Sequence, residues 1–315
     1  MDVISRTLVV PLLLCLSLSG RSSGETPVRV FILAGQSNMV GAGQVRANPD
    51  RHEGQGSLEW LVDSSPEKAR YAHLRDEDGE WTERDDVRVW FLGRKGPLRP
   101  GFGSNDNTIG PELGFGTVVG DFYDEPVALV KIAWGGKAIG REFRPPSSGG
   151  EVGAEYRLLV ENVKRIMADP AAVFPEFKGR EFELMGIGWH QGWNDRVNQA
   201  FNDAYEENLS NLIRDLRKEI AKPELPFVIA ETGMSGPDEK HPRALSLMAA
   251  QAAVAGRPEF EGTVAFVGTR DFYRPPDRSP SRQGYHWNSN AETYYLIGEG
   301  MGKAMLGLVE LSGKD

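Results

Sequence analysis

Residues 31 to 39 read Phe-Ile-Leu-Ala-Gly-Gln-Ser-Asn-Met, and their order decides the fold. Phe31 to Ala34 continue an apolar run begun at Val28 without the polar alternation of a half-exposed strand, the pattern of a strand covered on both faces. Gly35, Gln36, Ser37 and Asn38 follow at once. A hydroxyl at the end of a buried strand and ahead of a helix start lies among free backbone N–H groups, where a nucleophile is presented. Ser37 is therefore the candidate nucleophile. Taken alone, Gly-x-Ser-Asn reads more readily as an ordinary strand-ending turn, so the assignment depends on the rest of the chain.

The 315 residues, 40% hydrophobic and 26% charged, have an ordinary globular composition that excludes disordered and collagen-like classes. Residues 1–24 place Arg6 ahead of an apolar run from Leu8 to Leu18 and then small residues, the pattern of a secretory signal peptide. That run is shorter than the roughly 20 residues a bilayer-spanning helix needs. The expectation is a secreted or periplasmic protein without stable membrane insertion, whose mature part, residues 25–315, is a single domain. The sole cysteine, Cys15, lies in the signal, so disulfides and cysteine ligands are not expected. The formal charge of −9 becomes one unit more negative when the signal is lost, which disfavours nucleic acid as a partner.

Short apolar runs alternate with helical patterns, as in stacked βα units: an α/β fold with a three-layer α/β/α sandwich and a mostly parallel sheet. Strands are expected at 28–34, 87–91, 126–133, 182–189, 227–230 and 264–268. Helices are expected at 112–122, 152–167, 198–220, 243–255 and 291–308. The polar stretch 44–86 and the Gly- and Pro-rich stretch 94–110 read as long loops near the rim of a site.

Three further segments sit at predicted strand ends, where ligand sites of open parallel sheets lie. They are Trp134-Gly135-Gly136, Trp189-His190-Gln191-Gly192-Trp193-Asn194-Asp195 and Gly284-Tyr285-His286-Trp287-Asn288. A glycine lets backbone approach a reacting carbonyl. An amide side chain is a neutral donor to developing negative charge, and a neutral imidazole exchanges a proton near pH 7.

Together with GQSNM, these blocks resemble in order the SGNH-hydrolase superfamily, and within it the carbohydrate esterases that include sialic-acid-specific acetylesterases and acetylxylan esterases. The resemblance runs from Val28 to Leu308. It implies Ser37 as nucleophile, His286 as base and an oxyanion hole from the Ser37 and Gly136 N–H groups and the Gln191 amide. It further implies hydrolysis of O-acetyl esters on carbohydrates through an acetyl-enzyme, with no cofactor. Gln36, Asn38, Trp134 and Trp193 are candidate substrate contacts. His190 reads as structural, and no His or His/Asp pattern argues for a metal.

The chain departs from the family at the acid that orients the base. Gln283 stands three residues before His286, where aspartate is usual, and Trp193 stands where glutamate often follows Gln-Gly. Asp195 is the first substitute, with helix capping as its structural alternative. Asp271 and Asp277 come next, and a Ser–His dyad held by a backbone carbonyl remains open. Two other functions stay open as well: a non-catalytic sugar-binding member of the fold, and a lipase or thioesterase of the superfamily. The glycan, the acetyl position and the oligomeric state are not written in the sequence.

Overall fold

The computed structural model describes residues 26–312, so the expected signal peptide lies outside the described residues. The strands are β1 (Val28–Gly35), β2 (Gly43–Gln44), β3 (Arg84–Phe91), β4 (Arg94–Leu98), β5 (Thr108–Ile109), β6 (Val127–Ala133), β7 (Phe182–His190), β8 (Phe227–Ala230) and β9 (Val264–Val267). The α-helices are α1 (Ser37–Val40), α2 (Leu58–Asp63), α3 (Lys68–Tyr71), α4 (Glu112–Phe122), α5 (Ala154–Ala168), α6 (Trp193–Arg196), α7 (Gln199–Asp203), α8 (Tyr205–Ile220), α9 (Pro242–Ala255) and α10 (Ala291–Ser312).

Seven strands form one sheet in the order β4-β3-β6-β1-β7-β8-β9, while β2 and β5 pair separately. Only β4 runs antiparallel to its neighbour in the large sheet. Strand β1 lies at its centre. Val30, Ile32 and Ala34 enter a core with residues of α5, α8 and α9, whereas Phe31 and Leu33 enter a second core with residues of α2, α4 and α10. The period-2 geometry of a strand thus explains how one apolar run serves two helix layers. This is the expected three-layer arrangement with a mostly parallel sheet.

Three local expectations are corrected. The stretch 44–86 is not a simple loop: it carries α2 and α3, whose Leu58, Leu61 and Tyr71 are buried. Ser57 caps α2 by accepting the Trp60 N–H at 3.2 Å. Within 94–110, β4 forms a hairpin with β3, concealed by a sequence rich in charged residues, Gly and Pro. The single helix expected over 198–220 divides at Ala204 into α7 and α8, whose backbone there reaches φ −91°, ψ 0°. No helix among the described residues is long and apolar enough to cross a membrane.

Candidate active site

The site begins where β1 ends. Gly35 has φ +154°, and a Cβ there would stand 2.2 Å from the His190 carbonyl oxygen, so only glycine allows the ends of β1 and β7 to approach this closely. Ser37 follows as the first residue of α1, half-buried, and its N–H has no intrahelical acceptor. Its neighbours face inward. Gln36 Oε1 accepts the Gly192 N–H at 3.0 Å, and Gln36 Nε2 donates to Asn194 Oδ1 at 3.1 Å. Asn38 Nδ2 donates to the Tyr285 carbonyl at 3.0 Å, while Asn38 Oδ1 accepts the Tyr294 hydroxyl at 2.8 Å. Both side chains are about 1% exposed, so the expectation that Gln36 and Asn38 contact substrate is corrected: they fix the turn that carries Ser37.

Beneath that turn lies a pair that sequence reasoning missed. Lys131 Nζ donates to the Val40 carbonyl at the end of α1 (2.6 Å), to the Phe102 carbonyl (2.8 Å) and to Glu112 Oε2 (2.6 Å). Both charged side chains are fully buried, and burial lowers the Lys131 pKa. A lysine inside the otherwise apolar strand Val127–Ala133 was the available signal.

From β6 comes the glycine turn. A Cβ on Gly135 would lie 4.0 Å from Ser37 Cβ, which places this turn against Ser37. Gly136 has φ +71° with open space where a Cβ would stand, and its N–H makes no hydrogen bond within the protein among the described residues.

The β7 block behaves differently from the expectation. Gln191 is fully buried, and its Nε2 group faces Asp195 Oδ2 (2.6 Å), the Lys137 carbonyl (2.9 Å) and Gln36 Oε1 (3.3 Å). Its two N–H groups are thus taken by internal acceptors, leaving none for a substrate oxyanion. Asp195 is also corrected as the partner of His286. Its carboxylate accepts the N–H groups of Ile139 (2.9 Å) and Gly140 (2.8 Å) besides Gln191, and His286 is not among its partners. Burial pushes the Asp195 pKa up to about 6, opposed by those three donors. The network binds the loop after Gly136 to the turn that carries Ser37 through Gln191 and Gln36.

His286 is half-buried on an irregular turn, and burial alone lowers its pKa from the ordinary imidazole value. Its ring has no hydrogen-bonding or ion-pairing partner among the described residues. Asp271 and Asp277 are exposed and form no hydrogen bond or ion pair with it. The three residues after it, Trp287, Asn288 and Ser289, all have φ between +51° and +58°. Such left-handed backbone costs about 1–2 kcal/mol per non-glycine residue. It is held by fully buried Trp287, by the Asn288 Nδ2 bond to the Arg274 carbonyl (3.0 Å) and by the Ser281 N–H bond to the Asn288 carbonyl (2.8 Å). His190, fully buried, has its Nδ1 3.3 Å from the Ala230 carbonyl, and burial lowers its pKa to about 4. It belongs to the core.

The profile of one family, carbohydrate esterase, sialic acid-specific acetylesterase, matches residues 27–306. The chain belongs to this family. It is accordingly a carboxylic ester hydrolase of the carbohydrate acetylesterase class. A probable carbohydrate esterase of Arabidopsis thaliana is 25% identical over 211 residues, covering 64% of this chain and 68% of the relative. Among solved structures, an Arabidopsis thaliana protein superposes with a TM-score of 0.60 at 19% identity, over 89% of this chain and 98% of the other. A carbohydrate acetylesterase from Xanthomonas citri gives 0.52 at 16% identity, over 87% of this chain and 55% of that one. These likenesses show the fold.

In this carbohydrate esterase the rim of the site is aromatic. Tyr285 is 43% exposed; its ring centroid lies 4.5 Å from that of His286 and 6.0 Å from that of half-buried Trp193. The Arg196 guanidinium lies over the Trp193 ring at 4.3 Å. Trp134, also half-buried, packs toward Phe143 with centroids 6.0 Å apart. Among the described residues no group of three or more His, Cys, Asp or Glu is placed to hold a metal ion.

Proposed function

We propose that this esterase is a secreted serine enzyme that removes O-acetyl groups from glycans such as acetylated sialic acid or xylan. The observation that carries the reading is the bond from Asn38 to the Tyr285 carbonyl, which joins the residue after Ser37 to the residue before His286. The Ser37 hydroxyl attacks the acetyl carbonyl while His286 accepts its proton. The N–H groups of Ser37 and Gly136 hold the oxyanion, supported by the open backbone at Gly136. The sugar oxygen leaves with the proton from His286, and water then hydrolyses the acetyl-enzyme through the same base.

Without a carboxylate on its second nitrogen among the described residues, His286 works as one half of a dyad. Asp195, Gln191, Gln36 and Asn38 act as positioning residues that hold the oxyanion loop and the nucleophile turn in register. The test is hydrolysis of p-nitrophenyl acetate and of acetylated sialic acid and xylan by the mature protein, beside Ser37→Ala. A stable acetyl or phosphonyl adduct on Ser37, found by mass spectrometry, supports the scheme. An undiminished rate in Ser37→Ala would overturn it.

A further inference from the structure

A cavity of about 320 Å³ opens between α2, the loop 273–278 and the start of α10, outside the set of residues assigned to the reaction. Its volume lies at the lower end of the range for small-ligand clefts, which begins near about 300 Å³. Trp60 and Tyr273 offer half-buried aromatic faces to it, with Pro66 and Pro275 beside them. The polar groups around these faces are unspent. The Trp60 indole N–H, the Tyr273 hydroxyl, the Gln55 amide and the Arg278 guanidinium have no hydrogen-bonding partner among the described residues. These groups are open to solvent and so available to a ligand, and a ligand cleft combines apolar faces with a few convergent polar groups.

The charges lining the cavity nearly balance. Arg274 is held by Glu292 at 2.7 Å, and the free Arg278 is matched by exposed Glu67. The lining therefore exerts no strong net pull on an anion and suits a neutral polyol with a flat apolar face, which describes an uncharged pyranose ring. The cavity is also close to the reaction centre along the fold. Asn290 and Glu292 line it at the start of α10, and Tyr294, in that same first turn, bonds Asn38 beside Ser37.

We infer that this cavity is a second sugar-binding site, which holds a neutral pyranose of an oligosaccharide while another ring of the same chain presents its acetyl ester to Ser37. The inference rests on the esterase reading only for its kinetic consequence; occupancy of the cavity is independent of it.

The probes are O-acetylated xylotetraose and mannotetraose, each compared with the acetylated methyl glycoside of its sugar, and the same tetraoses without acetyl groups. For at least one backbone, kcat/KM on the tetraose is expected to exceed that on the methyl glycoside by about tenfold or more. Trp60→Ala and, separately, the surface change Arg278→Ala should remove most of that preference by raising KM, with p-nitrophenyl acetate hydrolysis unchanged. Unacetylated tetraose should perturb tryptophan fluorescence in the unmodified protein and less in Trp60→Phe. No tetraose preference on either backbone, or a preference untouched by both substitutions, overturns the second site. Absence of all ester hydrolysis would count against the esterase reading instead, and the fluorescence titration then decides the cavity alone: no response from either tetraose overturns it.

Discussion

Asn38 and Tyr285, 247 positions apart in the chain, are joined by a hydrogen bond of 3.0 Å from the Asn38 amide to the Tyr285 carbonyl. The turns that carry Ser37 and His286 are therefore held by one buried side chain, which also accepts from Tyr294. Asn38→Leu keeps the volume and removes both bonds. Because a misplacement near 1 Å can cost on the order of 10²-fold in rate, kcat on p-nitrophenyl acetate should fall roughly 10- to 100-fold. Steady-state kinetics beside a thermal melt separates this loss from unfolding.

Ser37→Ala and His286→Ala should each abolish nearly all turnover. Since burial lowers the His286 pKa and no carboxylate among the described residues raises it, the acid limb of the kcat/KM profile should have its midpoint below about 6.5. Gln283→Asp places an acid three residues before His286, where the resemblance leads us to expect one. It should speed turnover and move that midpoint upward, because a nearby anion favours the imidazolium. A slower Gln283→Asp enzyme with the same profile would refute the dyad.

Asp195→Asn turns an all-accepting carboxylate toward three N–H donors with an amide that carries donors of its own. The loop after Gly136 should loosen, lowering kcat by about 10²-fold while KM changes little. The imidazole titration of His286, followed by NMR, should stay where it is. A shifted titration would show that Asp195 senses the base directly.

His190 and Asp195 act oppositely on stability. Between about pH 4 and 6.5 the unfolded chain binds the His190 proton that the fold excludes, so this group's contribution is lost on acidification. The fold retains a proton on Asp195 up to about pH 6, above its ordinary range, so that contribution is present at low pH and is lost as pH rises. Each alone gives a slope of up to about 1.4 kcal/mol per pH unit, of opposite sign. Urea denaturation across pH 4 to 6 should therefore show stability rising with pH in Asp195→Asn and falling with pH in His190→Gln, relative to the unmodified protein.

Lys131→Met leaves Glu112 buried without its partner and should cost about 3–5 kcal/mol. The double change Lys131→Met/Glu112→Leu should recover most of that stability. It should not recover kcat, because the Val40 and Phe102 carbonyls still lack their donor. Recovery of both together would make the pair purely a matter of folding.

The sheet was legible because its strands are apolar on both faces and short turn signals bound them, so the five expected helices and six expected strands all have counterparts. Strand β4 was not, since its Arg-Lys-Gly-Pro-Leu sequence has little strand character and owes its pairing to the neighbouring β3. At the site, motif order pointed to Ser37, Gly136, Gln191 and His286 as a group. What it could not reveal was direction: whether Gln191 and Asp195 face the reaction or the interior depends on which acceptors and amides the fold places around them. Asp195 illustrates this, because its partners Ile139 and Gly140 lie more than fifty residues away.

The central position of β1 has a consequence for how the molecule comes into being. The strand that leads into Ser37 precedes both of its sheet neighbours in the chain, and the turn that carries His286 arrives only after β9. Contacts this distant in sequence slow folding, because chain entropy is surrendered before they can form. A chain emerging from its N-terminus would hold the attacking hydroxyl without a proton acceptor until nearly the whole polypeptide had collapsed around it. Ester hydrolysis would then appear as one of the last events of refolding, later than sheet formation followed by circular dichroism, and would serve as its own clock for completion.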